Sequence, residues 1–284
     1  MPRGVPKAGF RKTKNKTKSD TVAYYEPIQI ETDTEISQRI SDRFEILEDL
    51  AIGSTTGEIR SLIVSGPAGL GKSYTIEKTL NQWDPNGTNY TIIKGYVRAT
   101  GLYKTLFTHS APGQVVVFDD ADTIFFDDTS LNMLKAVCDS TENRTVSYLA
   151  ESQLFDDDTA ARLPKSFEFH GTIIFITNYD FDAMIEKGHK LAPHLLAMMS
   201  RSHYIDLSMK TKRDYMVRIH QVISKGLLDN VGLTHVAQQE VVSFIDANKD
   251  TLRELSIRVA LKVASIRKLK EQKWEKIAKI TCCR

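Results

Sequence analysis

The chain has 284 residues, 41% of them hydrophobic and 26% charged, enough to build a buried core in one large domain or two ordinary ones. No apolar run approaches the ~20 residues that span a bilayer, and Met1-Pro2-Arg3-Gly4-Val5-Pro6-Lys7 lacks the apolar stretch of a secretory signal. The expected location is therefore the cytoplasm, that of the host if the source is viral, with no membrane partner. Cys138 stands alone and Cys282-Cys283 are adjacent, a pattern that offers neither a disulfide framework nor metal-ligand spacing.

The net charge of +2 hides an asymmetry. Arg3, Lys7, Arg11, Lys12, Lys14, Lys16 and Lys18 precede the first acid; with those seven set aside from the 38 Lys and Arg, 31 basic residues face 36 acids. Residues 1–22 are expected to form a basic, disordered arm, because a Pro-, Gly- and Lys-rich stretch buries too little apolar surface to fold alone. Such an arm either neutralises phosphates on a nucleic acid or simply keeps the terminus soluble.

In chain order, Ile36, Ile40, Phe44, Leu47 and Leu50 recur at steps of three and four, which predicts a helix over Glu31 to Ala51 with one face on a core. The apolar run Leu62-Ile63-Val64 follows as a strand ending near Ser65. Further strands are predicted at Thr91 to Lys94, Val115 to Phe118, Thr172 to Thr177 and His203 to Leu207. Continuously apolar strands with helical connections imply a parallel sheet covered on both faces, hence a doubly wound five-stranded α/β domain over residues 23–209. From Thr211 onward only helical spacing recurs, so residues 210–284 are expected to form a small all-helical lid domain.

Between the first strand and its helix lies Gly66-Pro67-Ala68-Gly69-Leu70-Gly71-Lys72-Ser73. Glycines let the backbone curl so that successive N–H groups face a β-phosphate, and the following helix, with Tyr74 in its first turn, presents its partially positive end to the anion. Lys72 supplies a mobile charge for the β- and γ-phosphates and Ser73 a hydroxyl ligand for Mg²⁺. This predicts a nucleoside triphosphate site. Asp119, Asp120 and Asp122 end the third strand, at the carboxyl edge where ligands of parallel sheets collect. Asp119 is expected to complete the Mg²⁺ shell, and Asp120 to orient and polarise an attacking water. Asp122 is expected to fix a neighbouring group.

Taken together these segments resemble the AAA+ family of P-loop ATPases over roughly residues 35 to 270. The resemblance implies ATP and Mg²⁺ as cofactors, ATP hydrolysis, and a working oligomer, a ring or open ring, pentameric or hexameric. The family has Asp-Glu where this chain has Asp119-Asp120, one methylene short. Ile176-Thr177-Asn178 resembles the sensor 1 strand end, with Asn178 holding the attacking water. Ser200-Arg201-Ser202 is similar to the Ser-Arg segment of clamp loaders and initiators, which makes Arg201 an arginine finger acting on a neighbouring copy. Leu255-Ser256-Ile257-Arg258 resembles sensor 2, with Arg258 reaching the γ-phosphate and Arg253 as a competitor.

Two features bear on the cargo. Thr145 to His170, with Tyr148 and Asp156-Asp157-Asp158, forms either a hairpin facing the centre of a ring or a connecting loop. Gly95-Tyr96-Val97-Arg98 weakly resembles an aromatic pore loop, although Tyr96 could equally pack on the sheet edge. The leading expectation is a DNA-associated ATPase, loader-like or initiator-like, of the compact stand-alone sort found in bacteriophages, touching nucleic acid through the arm and central loops. The alternative is a protein-remodelling ATPase that grips a polypeptide through Tyr96.

Overall fold

The structure, a computed structural model, describes residues 31–284 except Ser152, Asp157 and Asp158. The basic arm, its expected boundary at residue 22, and two of the three acids in the run at 156–158 lie outside the described residues.

The chain first forms α1 (Asp33–Thr56), opened by a capping box in which Thr32 and Glu35 each satisfy the other's backbone N–H, and closed by Gly57 in the left-handed region. It extends past the predicted end because Ser54 and Thr55 bond their hydroxyls back to Leu50 and Ile52 carbonyls and so remain in the helix although buried and polar. There follow β1 (Ser61–Ser65), α2 (Lys72–Trp83), β2 (Tyr90–Lys94), α3 (Ala99–Thr108), β3 (Val115–Asp119), a 3-10 turn (Asp122–Phe125) and α4 (Asp128–Val137). Next come β4 (Thr145–Ser147), β5 (Ser166–Glu168), β6 (Thr172–Ile176), α5 (Phe181–Glu186), α6 (Ala192–Met199) and β7 (His203–Asp206). The remainder is helical: α7 (Lys212–Ser224), α8 (His235–Asn248), α9 (Ile257–Leu269) and α10 (Trp274–Cys282).

Five strands make one parallel sheet in the order β2-β3-β6-β1-β7, so the expected doubly wound α/β architecture is observed. Its three central strands, β3, β6 and β1, are buried from end to end because both faces are covered. Leu62, Val64, Val115, Val117, Ile174 and Ile176 point to the side packed by α1 and α2. Their neighbours Ile63, Val116, Phe118, Ile173 and Phe175 point to the other side, against α3, α4 and α6. That division is the period-two alternation of a strand, hidden in the sequence because both classes are hydrophobic. The C-terminal helices enclose a third apolar cluster around Val241, Ile245, Val259, Val263 and Trp274.

The segment from Thr145 to His170 contains a hairpin. β4 and β5 pair antiparallel, a further bridge joins Phe155 to Arg162, and Phe167 and Tyr148 pack against Tyr103 of α3. Leu149 and Phe155 remain exposed on it. Tyr96 is not packed on the sheet edge: it is 70% exposed, with the Arg98 guanidinium 5.9 Å from its ring centre.

Candidate nucleotide-binding site

Strand β1 ends at Ser65, and the chain turns through the glycine-rich loop before α2 begins at Lys72. Gly69 and Gly71 have φ of +76° and +100°, values an L side chain rarely adopts. At Gly69 space forbids a side chain as well, since a Cβ would sit 2.8 Å from the Cβ of Ser256. Among the described residues the N–H groups of Gly71, Lys72 and Ser73 find no backbone acceptor, as an anion-binding loop at a helix start requires. The Leu70 side chain is turned into the core, so only its backbone can serve a ligand.

Lys72 is 5% exposed, and its ammonium donates to the carbonyls of Gly66 (2.5 Å) and Pro67 (2.9 Å) and to Oδ1 of Asn178 (3.0 Å). Burial pushes its pKa down to about 8, against the attraction of Asp120 and Asp119. The Ser73 hydroxyl donates to Oδ1 of Asp119 at 2.8 Å, bringing a hydroxyl and a carboxylate oxygen together where Mg²⁺ would take both beside phosphate oxygens and water. Among the described residues no group of three or more His, Cys, Asp or Glu is arranged to hold a metal. The two-oxygen pair fits Mg²⁺, which binds through few protein ligands, better than a metal needing a full protein cage.

Asp120 begins the turn after β3 with φ +53°, its N–H bonded to the Ile176 carbonyl. Asp and Asn tolerate the left-handed region better than longer side chains, which gives a backbone reason for the shorter acid at this place. Its Oδ1 accepts from Nδ2 of Asn178 at 2.6 Å, so the two residues expected to handle the attacking water are already paired. Asp122 instead accepts from the Thr177 hydroxyl at 2.7 Å, joining the 3-10 turn after β3 to the residue that follows β6, and burial raises its pKa.

Ala68, Gly69, Gly71, Lys72, Ser73, Tyr74, Asp120, Asn178 and Arg258 line one cavity of about 180 Å³. The loop after β1, the start of α2, the turns that follow β3 and β6, and the start of α9 thus meet at this cavity, although they are distant in the chain. Arg258 reaches the cavity because α9 starts against the loop: its N-cap Ser256 touches Gly69, and the Ile257 N–H donates to the Gly69 carbonyl at 2.8 Å. Arg253 does not line the cavity; its N–H is bonded to the Cys282 carbonyl. Arg201 is not part of its own chain's cavity either. It follows α6, donates to the Ala197 carbonyl, and pairs with Asp139 at 3.7 Å. A larger groove of about 820 Å³ runs between α1, α7 and α8, away from the phosphate loop.

Two residues near the loop lie outside the motifs that the sequence displays. Lys94 ends β2 opposite Asp119 in register, 3.6 Å from its carboxylate and bonded also to Glu77. Arg218 of α7 donates to the Leu70 carbonyl from below the loop. Its sequence signal is a charge on an apolar helix face, three residues after Tyr215 and four before Val222.

A five-stranded parallel sheet in this order, with a glycine-rich loop between β1 and α2, an acid pair where β3 ends and helices at the C-terminus, defines a doubly wound α/β fold. The chain is 38% identical over 246 residues, 86% of its length and 74% of the other's, to the uncharacterized 36.7 kDa protein of the nrdC-mobD intergenic region of Enterobacteria phage T4, and it belongs to the same family. No model of a known protein family matches it. Among solved structures it is similar to RuvB of Thermotoga maritima, 13% identical over 87% of this chain and 70% of that one, with a TM-score of 0.46. It is likewise similar to NtrX of Brucella abortus solved with ATP, 12% identical over 85% of this chain and 62% of that one, with a TM-score of 0.43.

Proposed function

We propose that the protein is a Mg²⁺-dependent ATPase of the AAA+ type that works as an oligomer on nucleic acid, in a bacteriophage DNA transaction. The observation that carries the reading is the convergence, around one cavity, of the loop's N–H groups, Lys72, the Ser73–Asp119 pair and the bonded Asp120–Asn178 pair. In this reading the loop's N–H groups and Lys72 bind the β- and γ-phosphates of ATP, and Ser73 and Asp119 would hold Mg²⁺, which would neutralise phosphate charge when bound. Asp120 takes the proton of a water that Asn178 helps to hold as that water's oxygen bonds to the γ-phosphorus and ADP leaves. Arg258 contacts the γ-phosphate from α9, and Arg201 serves the site of a neighbouring copy. The relative in phage T4 supports the phage setting.

The test is ATP turnover by the purified chain alongside Lys72→Ala. Measurable Mg²⁺-dependent turnover that disappears in the variant is expected, and turnover surviving in it would refute the site. Binding to single- and double-stranded DNA at two salt concentrations, with and without residues 1–18, tests the cargo. Salt-sensitive binding that vanishes with the arm is expected. The second reading, a polypeptide-remodelling ATPase, is favoured by the exposure of Tyr96, and it takes over if DNA is ignored at low salt.

A further inference from the structure

Two hydrogen-bonding groups reach the outer side of the phosphate loop from the C-terminal helices. The Ile257 N–H holds the Gly69 carbonyl, and the Arg218 guanidinium holds the Leu70 carbonyl twice, from Nε at 3.3 Å and Nη2 at 3.2 Å. Arg218 is only 6% exposed. Its remaining contacts fix it further: the guanidinium lies 3.5 Å from the centre of the Phe44 ring, and Nη1 donates to Gln221, whose amide is anchored to Ser37 and Ser41 of α1. Burial alone pushes its pKa down to about 10, and no carboxylate among the described residues raises it again.

A buried guanidinium without an anion is costly to keep, and such a charge is usually paired. The anion it would serve lies one peptide away. No peptide bond is cis among the described residues, so in the planar unit joining Leu70 to Gly71 the N–H points opposite to the C=O. Two charge-assisted bonds that fix the Leu70 carbonyl outward therefore fix the Gly71 N–H on the opposite side, and Gly71 is a lining residue of the cavity. The positive charge behind the carbonyl also polarises that amide, strengthening its N–H as a donor.

We propose that Arg218 is a positioning residue for polyphosphate: it never touches the ligand, but holds the Leu70–Gly71 peptide so that its N–H faces the bound phosphates, and thereby makes the grip of the loop depend on α7. This rests on the reading that the loop binds a triphosphate. The dependence is on phosphate, not on the nucleoside, since only the loop's amides are governed by this contact.

The experiment compares the full chain with Arg218→Ala and Arg218→Lys, using inorganic tripolyphosphate and ATP as probes in calorimetry well below each variant's melting temperature. Tripolyphosphate and ATP affinities are expected to drop together by about tenfold in the Ala variant, with partial recovery in the Lys variant, which restores charge without the planar fork. Lower melting temperature with unchanged tripolyphosphate affinity would mean that Arg218 only supports the fold, and overturns the assignment. Should the Ala variant not fold, the Lys variant decides: a threefold or greater loss of tripolyphosphate affinity supports the assignment, and wild-type affinity overturns it. A wild-type chain that binds neither probe sinks the triphosphate reading and this assignment with it, whereas a wild-type chain that binds both beside an indifferent pair of variants sinks this assignment alone.

Discussion

Replacing Gly69 by Ala puts a methyl group where both the backbone and a neighbour object. The left-handed conformation at φ +76° costs an L residue about 1–2 kcal/mol. The new Cβ would stand 2.8 Å from Ser256 Cβ and 3.1 Å from its Oγ, so the start of α9 must retreat. Retreat lengthens the 2.8 Å bond from Ile257 to the Gly69 carbonyl, a loss of about 1 kcal/mol. The sum, about 2–3 kcal/mol, should lower the melting temperature by roughly 3–5 °C for a chain of this size. Gly113→Ala is the control, because Gly113 has φ +80° but nothing within 4 Å of the place a Cβ would take, so it carries the backbone cost alone. Denaturant midpoints of the two variants, with turnover measured beside them, separate strain from contact. A Gly69→Ala variant no less stable than Gly113→Ala, and as active as wild type, would refute the close-approach reasoning.

Asp120→Asn should leave stability within about 0.5 kcal/mol, because Asn accepts the same backbone, while cutting turnover and sparing ATP affinity; equal loss of binding and turnover would contradict the role given to Asp120. Asp120→Glu, which adds one methylene, should cost about 1 kcal/mol in a denaturation curve, and a neutral result would remove the backbone explanation for Asp. Arg201→Ala should spare nucleotide affinity yet reduce turnover, with wild-type rate per chain rising with protein concentration; a demonstrable monomer with full, concentration-independent turnover would dismiss the trans role. Burial raises the Cys138 thiol to about 11, above its unfolded 9, so the stability it contributes is complete below pH 9 and is lost as pH rises through 11. Cys138→Ala should flatten that alkaline decline in denaturation midpoints, and an unchanged slope would show that another group causes it.

The phosphate loop and the strands were legible because their signals are local. A glycine pattern between an apolar run and a helix needs no knowledge of the rest of the chain, and strands buried on both faces announce themselves as unbroken hydrophobic runs. Asp119 and Asn178 could be placed for the same reason, each at the end of such a run. What stayed hidden depends on juxtaposition. The register that sets Lys94 against Asp119 is decided by neighbouring strands, and β4 and β5 are only three residues long, with one buried side chain, Val146, in β4 to betray the pattern. Arg218 interrupts an apolar helix face, and nothing in the linear order says that the interruption meets the loop 148 residues earlier.

If Arg201 serves a neighbouring copy, as proposed, its pairing with Asp139 carries a consequence for assembly. Asp139 is itself steadied by the Thr141 N–H, so the guanidinium rests on a fixed anion within its own chain. Delivering that arginine to a neighbour would then be a swap of one negative partner for another, and swaps of this kind release little net free energy. The cohesion between copies would have to come from other surfaces, leaving this side chain at liberty to follow the phosphate as it is cleaved and to return home when it departs.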